Sequence, residues 1–381
     1  MFRLTHWCTG RSPLGTPTSR DRGAREPAKF ISPRAAAIAT IAAALALISQ
    51  GSLADEGGSS FWTPGSYASL SATPSQPGFS LTSVYYHPSV SFDTEVARAN
   101  RFRTRRQSVD LFSEKFADAD TVKDLAMVTP SYTFASPIFG AQATVGLTAV
   151  YGRNRTFQNV LLSDLAVDGP FARPRSRFEM NGDSVAGFGD LSPQVTLRWN
   201  SGAHNFMTYA TGNIPVGAYN PSRLANIGIG HSALDGGLGY TYLDDAGREF
   251  SAVAGVTYNF LNPFTQYQNG TDFHLDWGAS QFFFSKQLQI GVVGYVYNQL
   301  TCDSGSGNKV GCFDSRVASV GAQLGYTITV GELEAYVNLR GYNEFDAANR
   351  PEGWNVWLTL TLSPADTASK ALTRRGRQNS Y

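Results

Sequence analysis

The sequence predicts an all-β protein, a transmembrane antiparallel β-barrel of about 12 strands. Three observations carry that prediction. An apolar leader of export length stands near the N-terminus, side-chain character alternates with period 2 through the rest of the chain, and the connections between the alternating runs are short and long in turn.

Composition points the same way. Only 16% of the 381 residues are charged, against about a quarter in an ordinary soluble domain. Gly (38), Phe (24) and Tyr (17) are abundant, yet the mean hydropathy is only −0.20. Few charges, many aromatics and middling hydropathy suit strands with one lipid-facing side and one lumen-facing side.

The leader is Ala35 to Ile48 (AAAIATIAAALALI), with basic residues before it and Ser52-Leu53-Ala54 after it. That pattern reads as a signal peptide over 1–54, with a small-x-small cleavage site. The run is too short for a transmembrane helix, which needs about 20 residues. The mature chain then carries 24 basic and 28 acidic side chains, a net charge of −4. Nothing in that balance calls for a nucleic-acid partner. No later apolar run is long enough to span a membrane as a helix. A membrane location therefore requires a closed barrel, because open sheet edges go unsatisfied in lipid.

Strands are expected at 79–92, 123–135, 140–152, 187–199, 204–214, 235–244, 248–260, 271–285, 288–301, 315–329, 332–344 and 353–363. The clearest are late in the chain. Phe250, Ala252, Ala254, Val256, Tyr258 and Phe260 oppose Glu249, Ser251, Thr257 and Asn259. Leu333, Ala335, Val337 and Leu339 oppose Glu334, Tyr336, Asn338 and Arg340. Short turns fall near Pro137, Ser201, Ala246, Lys286 and Gly331. Long loops are expected at 93–122, 153–186, 215–234, 261–270, 302–314 and 345–352. Outer-membrane barrels have short periplasmic turns, longer extracellular loops and an even strand number. A soluble sandwich has shorter strands and no such alternation of connections. In this orientation Tyr258, Phe260 and Trp354 fall at the outer rim. Trp199, Tyr242, Phe282, Phe283 and Tyr326 fall at the periplasmic one, giving two aromatic belts.

The polar faces define a candidate lumen wall of mixed sign: Asp190, Gln194, Arg198, Glu249, Asn259, His274, Asp276, Gln323, Glu334, Asn338 and Arg340. Asp55 to Gly78 (DEGGSSFWTPGSYASLSATPSQPG) has no strand pattern. It reads either as a disordered periplasmic extension or as a segment folded into the lumen, and its Phe61, Trp62 and Tyr67, unusual for a flexible tail, favour the lumen plug. Residues 79–363 form the barrel, and 364–381 read as a basic periplasmic tail. Pro130 and Pro193 sit inside expected strands, where Pro cannot donate to the ladder, so each marks a bulge, a kink or a tolerated defect. Cys302 and Cys312, in TCDSGSGNKVGC, form an even pair suited to a disulfide in an oxidising compartment.

No catalytic constellation emerges. Phosphate loops, nucleophile elbows and metal-ligand spacings are missing, so neither a cofactor nor a metal is expected. His274 and Asp276 share a face, but no serine partners them, and lumen polarity explains them. Asp303 reads as part of a solvated turn.

Several stretches resemble a family of proteobacterial outer-membrane proteins named for the MetA pathway of phenol degradation. They are DEGGSSFWTPGSYASL, VYYHPSVS, GFGDLSPQVTLRWN, YATGNIPVGAYNPSRLANIG, REFSAVAGVTYNFLNPFTQYQNGTDFHLDWGASQF and GYVYNQLTCDSGSG. The resemblance implies a barrel related in architecture to long-chain fatty-acid channels, with hydrophobic or aromatic cargo and no catalytic residues. The basic stretch after the last strand departs from barrels that end on an aromatic residue. The leading expectation is passive uptake of small hydrophobic or aromatic compounds across the bacterial outer membrane. The alternatives are a general diffusion porin and, further behind, a barrel-borne enzyme. Expected partners are membrane lipid, lipopolysaccharide, the small solute and, during biogenesis, the barrel-assembly machinery.

Overall fold

The computed structural model describes residues 60–365, apart from 104–107, 169–170, 309–310 and 313. The expected signal peptide, residues 55–59 of the lead and all but the first two residues of the basic tail lie outside these. The described residues form twelve strands and no helix. In chain order they are β1 (Gly78–Arg103), β2 (Ser108–Thr133), β3 (Gln142–Asp168), β4 (Phe171–Ser201), β5 (His204–Asn213) and β6 (Ala233–Leu243), followed by β7 (Arg248–Asn259), β8 (Asp272–Phe283), β9 (Leu288–Gln299), β10 (Arg316–Val330), β11 (Leu333–Ala348) and β12 (Glu352–Pro364). Each strand pairs antiparallel with its sequence neighbours, and β12 closes on β1 from Leu81↔Leu362 to Ser91↔Glu352. Closure removes every sheet edge, which is what allows a β-structure to sit in lipid.

Period 2 then sorts the side chains. On β7, Glu249, Ser251, Val253, Thr257 and Asn259 are buried inside, while Phe250, Val256 and Tyr258 face out. On β10, Ser319 and Gln323 point inward, while Val320 and Leu324 are about half exposed on the outside. This barrel is inverted relative to a soluble protein: its polar residues are buried and its aliphatic ones exposed, as lipid as the outer solvent requires. Tyr258, Phe260 and Trp354 lie on the outer surface at one rim, and Phe283 and Tyr326 at the other. Phe282 does not join the belt. It is buried, because it precedes Phe283 on the opposite face of β8.

The short turns stand where expected. Gly202, Gly247 and Gly331 take positive φ at three of them, and Phe284, Ser285 and Lys286 do so at a fourth. Three of the expected long loops are instead mostly strand. The β1–β2 ladder continues to Arg103↔Ser108 and the β3–β4 ladder to Asp168↔Phe171. β11 runs on to Ala348, so only residues 349–351 separate it from β12. The physical reason is that these extensions project beyond the apolar belt. With no lipid on one face, backbone pairing and polar side-chain bonds such as Asn159 to Asp118 and Arg223 to Asp183 hold them, and the apolar/polar alternation that marks a membrane strand is no longer required.

The prolines mark interruptions. The β2–β3 ladder skips Thr129 and Pro130, between Val128↔Ala149 and Ser131↔Gly146. The β4–β5 ladder stops at Gln194, beside Pro193, and resumes only as the single bridge Leu191↔Ile214. Pro88, which the sequence reading passed over, makes a third break, between Tyr86↔Leu125 and Ser89↔Val122. Each follows from the missing N–H.

Candidate functional site

Residues 60–77 form no strand and run through the inside of the barrel. A strandless segment there carries backbone N–H groups with no ladder to join, and each must find an acceptor. The inner wall supplies them. Asp276 accepts from the Gly65 and Tyr67 amides at 2.9 and 3.0 Å. Glu249 accepts from the Leu70 amide at 3.1 Å and the Ser69 hydroxyl at 2.7 Å. The Ala72 amide donates to Thr241 Oγ1 at 3.1 Å and the Ser75 amide to Gln142 Oε1 at 2.7 Å. Cations take the carbonyls: Arg340 Nη1 donates to Gly65 O at 3.0 Å and Arg198 Nε to Ser71 O at 3.2 Å. Such bonds, with one charged partner, are stronger than neutral ones.

Apolar contact completes the fit. The Trp62 ring stacks on His274 with centroids 3.7 Å apart, and Tyr67 and Tyr209 close around it at 5.7 and 6.0 Å. His274 is in turn held by Asp235, Nε2 to Oδ2 at 2.9 Å. This is one wall of the lumen, on β5 to β8. A different wall faces it on β9, β11, β12 and β1. There Tyr86 packs at a tilt against Trp357, centroids 4.2 Å apart, and Tyr295 likewise against Tyr342 at 5.1 Å. Arg340 lies 5.2 Å over the Trp357 ring and Arg350 4.2 Å over Tyr297.

The opposite end of the lumen, towards the long loops, is tied by Asp190. Its carboxylate accepts from the Gly217 and Ile229 amides at 2.8 and 2.9 Å and from Asn213 Nδ2 at 3.0 Å. These donors pin residues 214–232 across the outer mouth. Asp190→Ala orphans the Gly217 and Ile229 amides and leaves Asn213 Nδ2 only its bond to His231 O, and the expected result is rapid cleavage within 214–232 by protease added to intact cells, with the barrel core still resistant. The neighbouring loops join through the bridge Gln268↔Ser304. Asp303 is not in a solvated turn. It is buried, accepting from the Gly270 amide and Gln299 Nε2 at 3.0 and 2.7 Å. Cys302 and Cys312 are bonded across that loop, their Cα atoms 4.6 Å apart. The cluster they make with Asp314 therefore offers no thiolate to a metal.

A family model described as "Putative MetA-pathway of phenol degradation" matches residues 127–360. The chain belongs to that family. In fold it is similar to an outer-membrane channel from Pseudomonas putida F1, at 11% identity and TM-score 0.52, covering 78% of this chain and 98% of that one. OccAB1 from Acinetobacter baumannii aligns at 9% identity and TM-score 0.29, over 75% of this chain and 96% of that one. OccK5 from Pseudomonas aeruginosa aligns at 9% and 0.28, over 76% and 98%. The last two scores are too low to carry an argument. No curated protein matches the chain. With a closed barrel of twelve strands and an apolar outer surface, this phenol-degradation family member is an outer-membrane protein.

In this family member the polar positions singled out in sequence divide by place. Glu249, His274, Asp276, Gln323, Arg198 and Arg340 meet residues 60–77. Asp190 and Asn259 serve the loops, Asn259 Nδ2 donating to Gly270 O and Asp272 at 2.8 Å each. Asn338 faces Gln289 at 3.4 Å, while Gln194 and Glu334 are half-buried away from the segment. Among the aromatics, Trp62 is buried and Tyr67 packs on it, whereas Phe61 is only half-buried. His274 pairs with Asp235, not with its sequence neighbour Asp276. Asp235 was missed because Gly236, Gly237 and Gly239 beside it blank out the alternation. The aromatic wall was missed because Tyr295 and Tyr297 look like lipid-belt residues; Trp357 alternates with Trp354 and so falls on the polar face with Asn355, but nothing in the sequence brings it beside them.

Proposed function

We propose that the protein is an outer-membrane channel for passive uptake of small hydrophobic or aromatic compounds, with residues 60–77 acting as a plug. The observation that carries this reading is the bonding of residues 60–77 to both walls of the lumen, their amides donating to Asp276 and Glu249 on one and the Gly65 carbonyl accepting from Arg340 on the other. A hydrophobic solute crosses the lipopolysaccharide layer poorly, so a channel raises its flux without energy input. Aromatic side chains along the path give it a weak site, and affinity must stay modest or release becomes limiting.

A general diffusion porin is the alternative, and single-channel recording of the intact protein separates the two. The plugged reading expects a small, intermittent conductance. Steady conduction like that of an open pore would establish the porin instead. A barrel-borne enzyme finds less support, since His274 is stacked and sealed beneath Trp62, with no serine among its hydrogen-bond partners.

Two features of maturation belong to the same proposal: cleavage after Ala54 and oxidation of the cysteines outside the cytoplasm. Mass spectrometry of the membrane-fraction protein tests both. The expected results are Asp55 as the first residue and a non-reduced peptide pair linking Cys302 to Cys312. A bridge over so short a loop contributes about 2–3 kcal/mol, mostly to the loop itself. An intact Met1, or two free thiols, would refute the respective expectation.

A further inference from the structure

The aromatic wall has a feature that holding the segment does not explain. Most of its polar atoms satisfy one another. Trp357 Nε1 donates to Asn355 at 2.9 Å, Asn355 Nδ2 to Tyr295 OH at 2.9 Å, and Tyr295 OH to Glu344 at 2.6 Å. Two buried donors are left over, Arg340 Nε and Tyr342 OH. Neither makes a complete hydrogen bond in place, the two groups interacting only with each other, although buried donors are nearly always paired. Both flank Gly65, where the segment passes the wall. A Cβ added at Gly65 would come within 3.3 Å of both the Tyr295 and Tyr342 rings. Ala68 packs against the same aromatic cluster. The segment therefore lays a bare peptide group on the rings and gives its one carbonyl oxygen to Arg340, leaving the guanidinium half used.

We propose that this is a binding site for an aromatic carboxylate, which the plug occupies until the solute displaces it. The inference rests on the plugged-channel reading and names its substrate class. A carboxylate has two oxygens where the Gly65 carbonyl has one, so it takes Arg340 bidentately and reaches Tyr342 OH as well. Its ring fills the space of the Gly65 to Ala68 backbone against Trp357, Tyr295 and Tyr342, in the offset or edge-on contacts aromatics favour. The carboxylate is the fitting anion because it is ionised at neutral pH, whereas a phenol, with a pKa near 10, is not. A solute that takes Arg340 from Gly65 removes one anchor and separates the segment from the rings. Binding and opening are thus one event, as linkage requires when a ligand binds only the open state.

The test is conductance of the full-length protein in planar bilayers under benzoate, acetate or toluene. Benzoate is expected to raise conductance saturably, while acetate lacks the ring and toluene the charge, and neither opens the pore at the same concentration. Tyr342→Phe deletes the hydroxyl that the carboxylate reaches and keeps the ring, and a heat-modifiability gel reports whether the barrel is folded. Half-saturation by benzoate should rise about tenfold, from loss of one hydrogen bond to an anion. Arg340→Gln should abolish the response, and if that variant fails to fold, Tyr342→Phe decides alone. A benzoate response identical in wild type and Tyr342→Phe, an equal response to acetate or toluene, or none at all overturns the proposal. If deleting residues 60–77 opens the pore while benzoate does nothing, only this inference fails and the plugged channel stands.

Discussion

Deleting residues 60–77 is expected to turn a barely conducting barrel into a steadily conducting one. The barrel should survive the deletion, because the segment joins no strand and β1 begins at Gly78, after it. The ladder from Leu81↔Leu362 onward, which closes the cylinder, involves none of the deleted residues. What disappears is the stack of Trp62 on His274 and the peptide backbone spanning from Asp276 and Glu249 to Arg340. The wall left behind is polar, so water and ions should fill it. Selectivity for aromatic over charged non-aromatic solutes should fall as conductance rises. The measurement is single-channel recording beside a heat-modifiability gel, which reports whether the barrel is folded. An unchanged conductance from a folded deletion protein would remove the plug from the account and leave a barrel closed by its outer loops alone.

The second large effect is expected from Asp276→Ala combined with Glu249→Ala. Asp276 holds two amides of the segment for which no other acceptor is in place, while the Leu70 amide and Ser69 hydroxyl on Glu249 also meet Ser251 and Ser280. Asp276 alone serves two amides, and an orphaned buried donor costs about 1–3 kcal/mol. Once the segment is released its amides bond to water, so the whole of that cost favours the open state. For Asp276→Ala alone the open population should rise about thirtyfold or more, at 1.4 kcal/mol per factor of ten. Asp276→Asn keeps one acceptor oxygen and should fall between. Hydrogen exchange of the Gly65 and Tyr67 amides provides a second readout, with exchange quickening in the order wild type, Asn, Ala. If all three exchange and conduct alike, the segment is held by its aromatics and the carboxylates have another purpose. Comparing Trp62→Ala with Asp276→Ala then apportions the hold between stacking and hydrogen bonding.

Much of the architecture was legible before any coordinates. Strand number, the order of short turns and the inward direction of Glu249, Asn259, His274, Gln323 and Arg340 follow from period 2, because a membrane barrel must place lipid on one side of each strand and water or polar groups on the other. Where that constraint lapses, the signal lapses with it. The extensions of β1 to β4 beyond the membrane are held by pairing between neighbours, and pairing imposes no pattern on side chains. Residues 93–122 and 153–186 therefore read as loops.

The lumen shows the same division. The sequence alone determines that Asp276 faces inward and that Trp62 and Tyr67 are out of place in a free tail. It does not determine that Asp276 and those residues meet, because more than two hundred residues separate Gly65 from Asp276 along the chain. The barrel circumference brings them together, through eleven registers between sequence neighbours and the closure of β12 on β1. The pairing of His274 with Asp235 and the gathering of Tyr86, Tyr295, Tyr342 and Trp357 into one wall have the same origin. Local alternation chooses a side of the sheet, and only closure of the sheet chooses which inward residues share a wall.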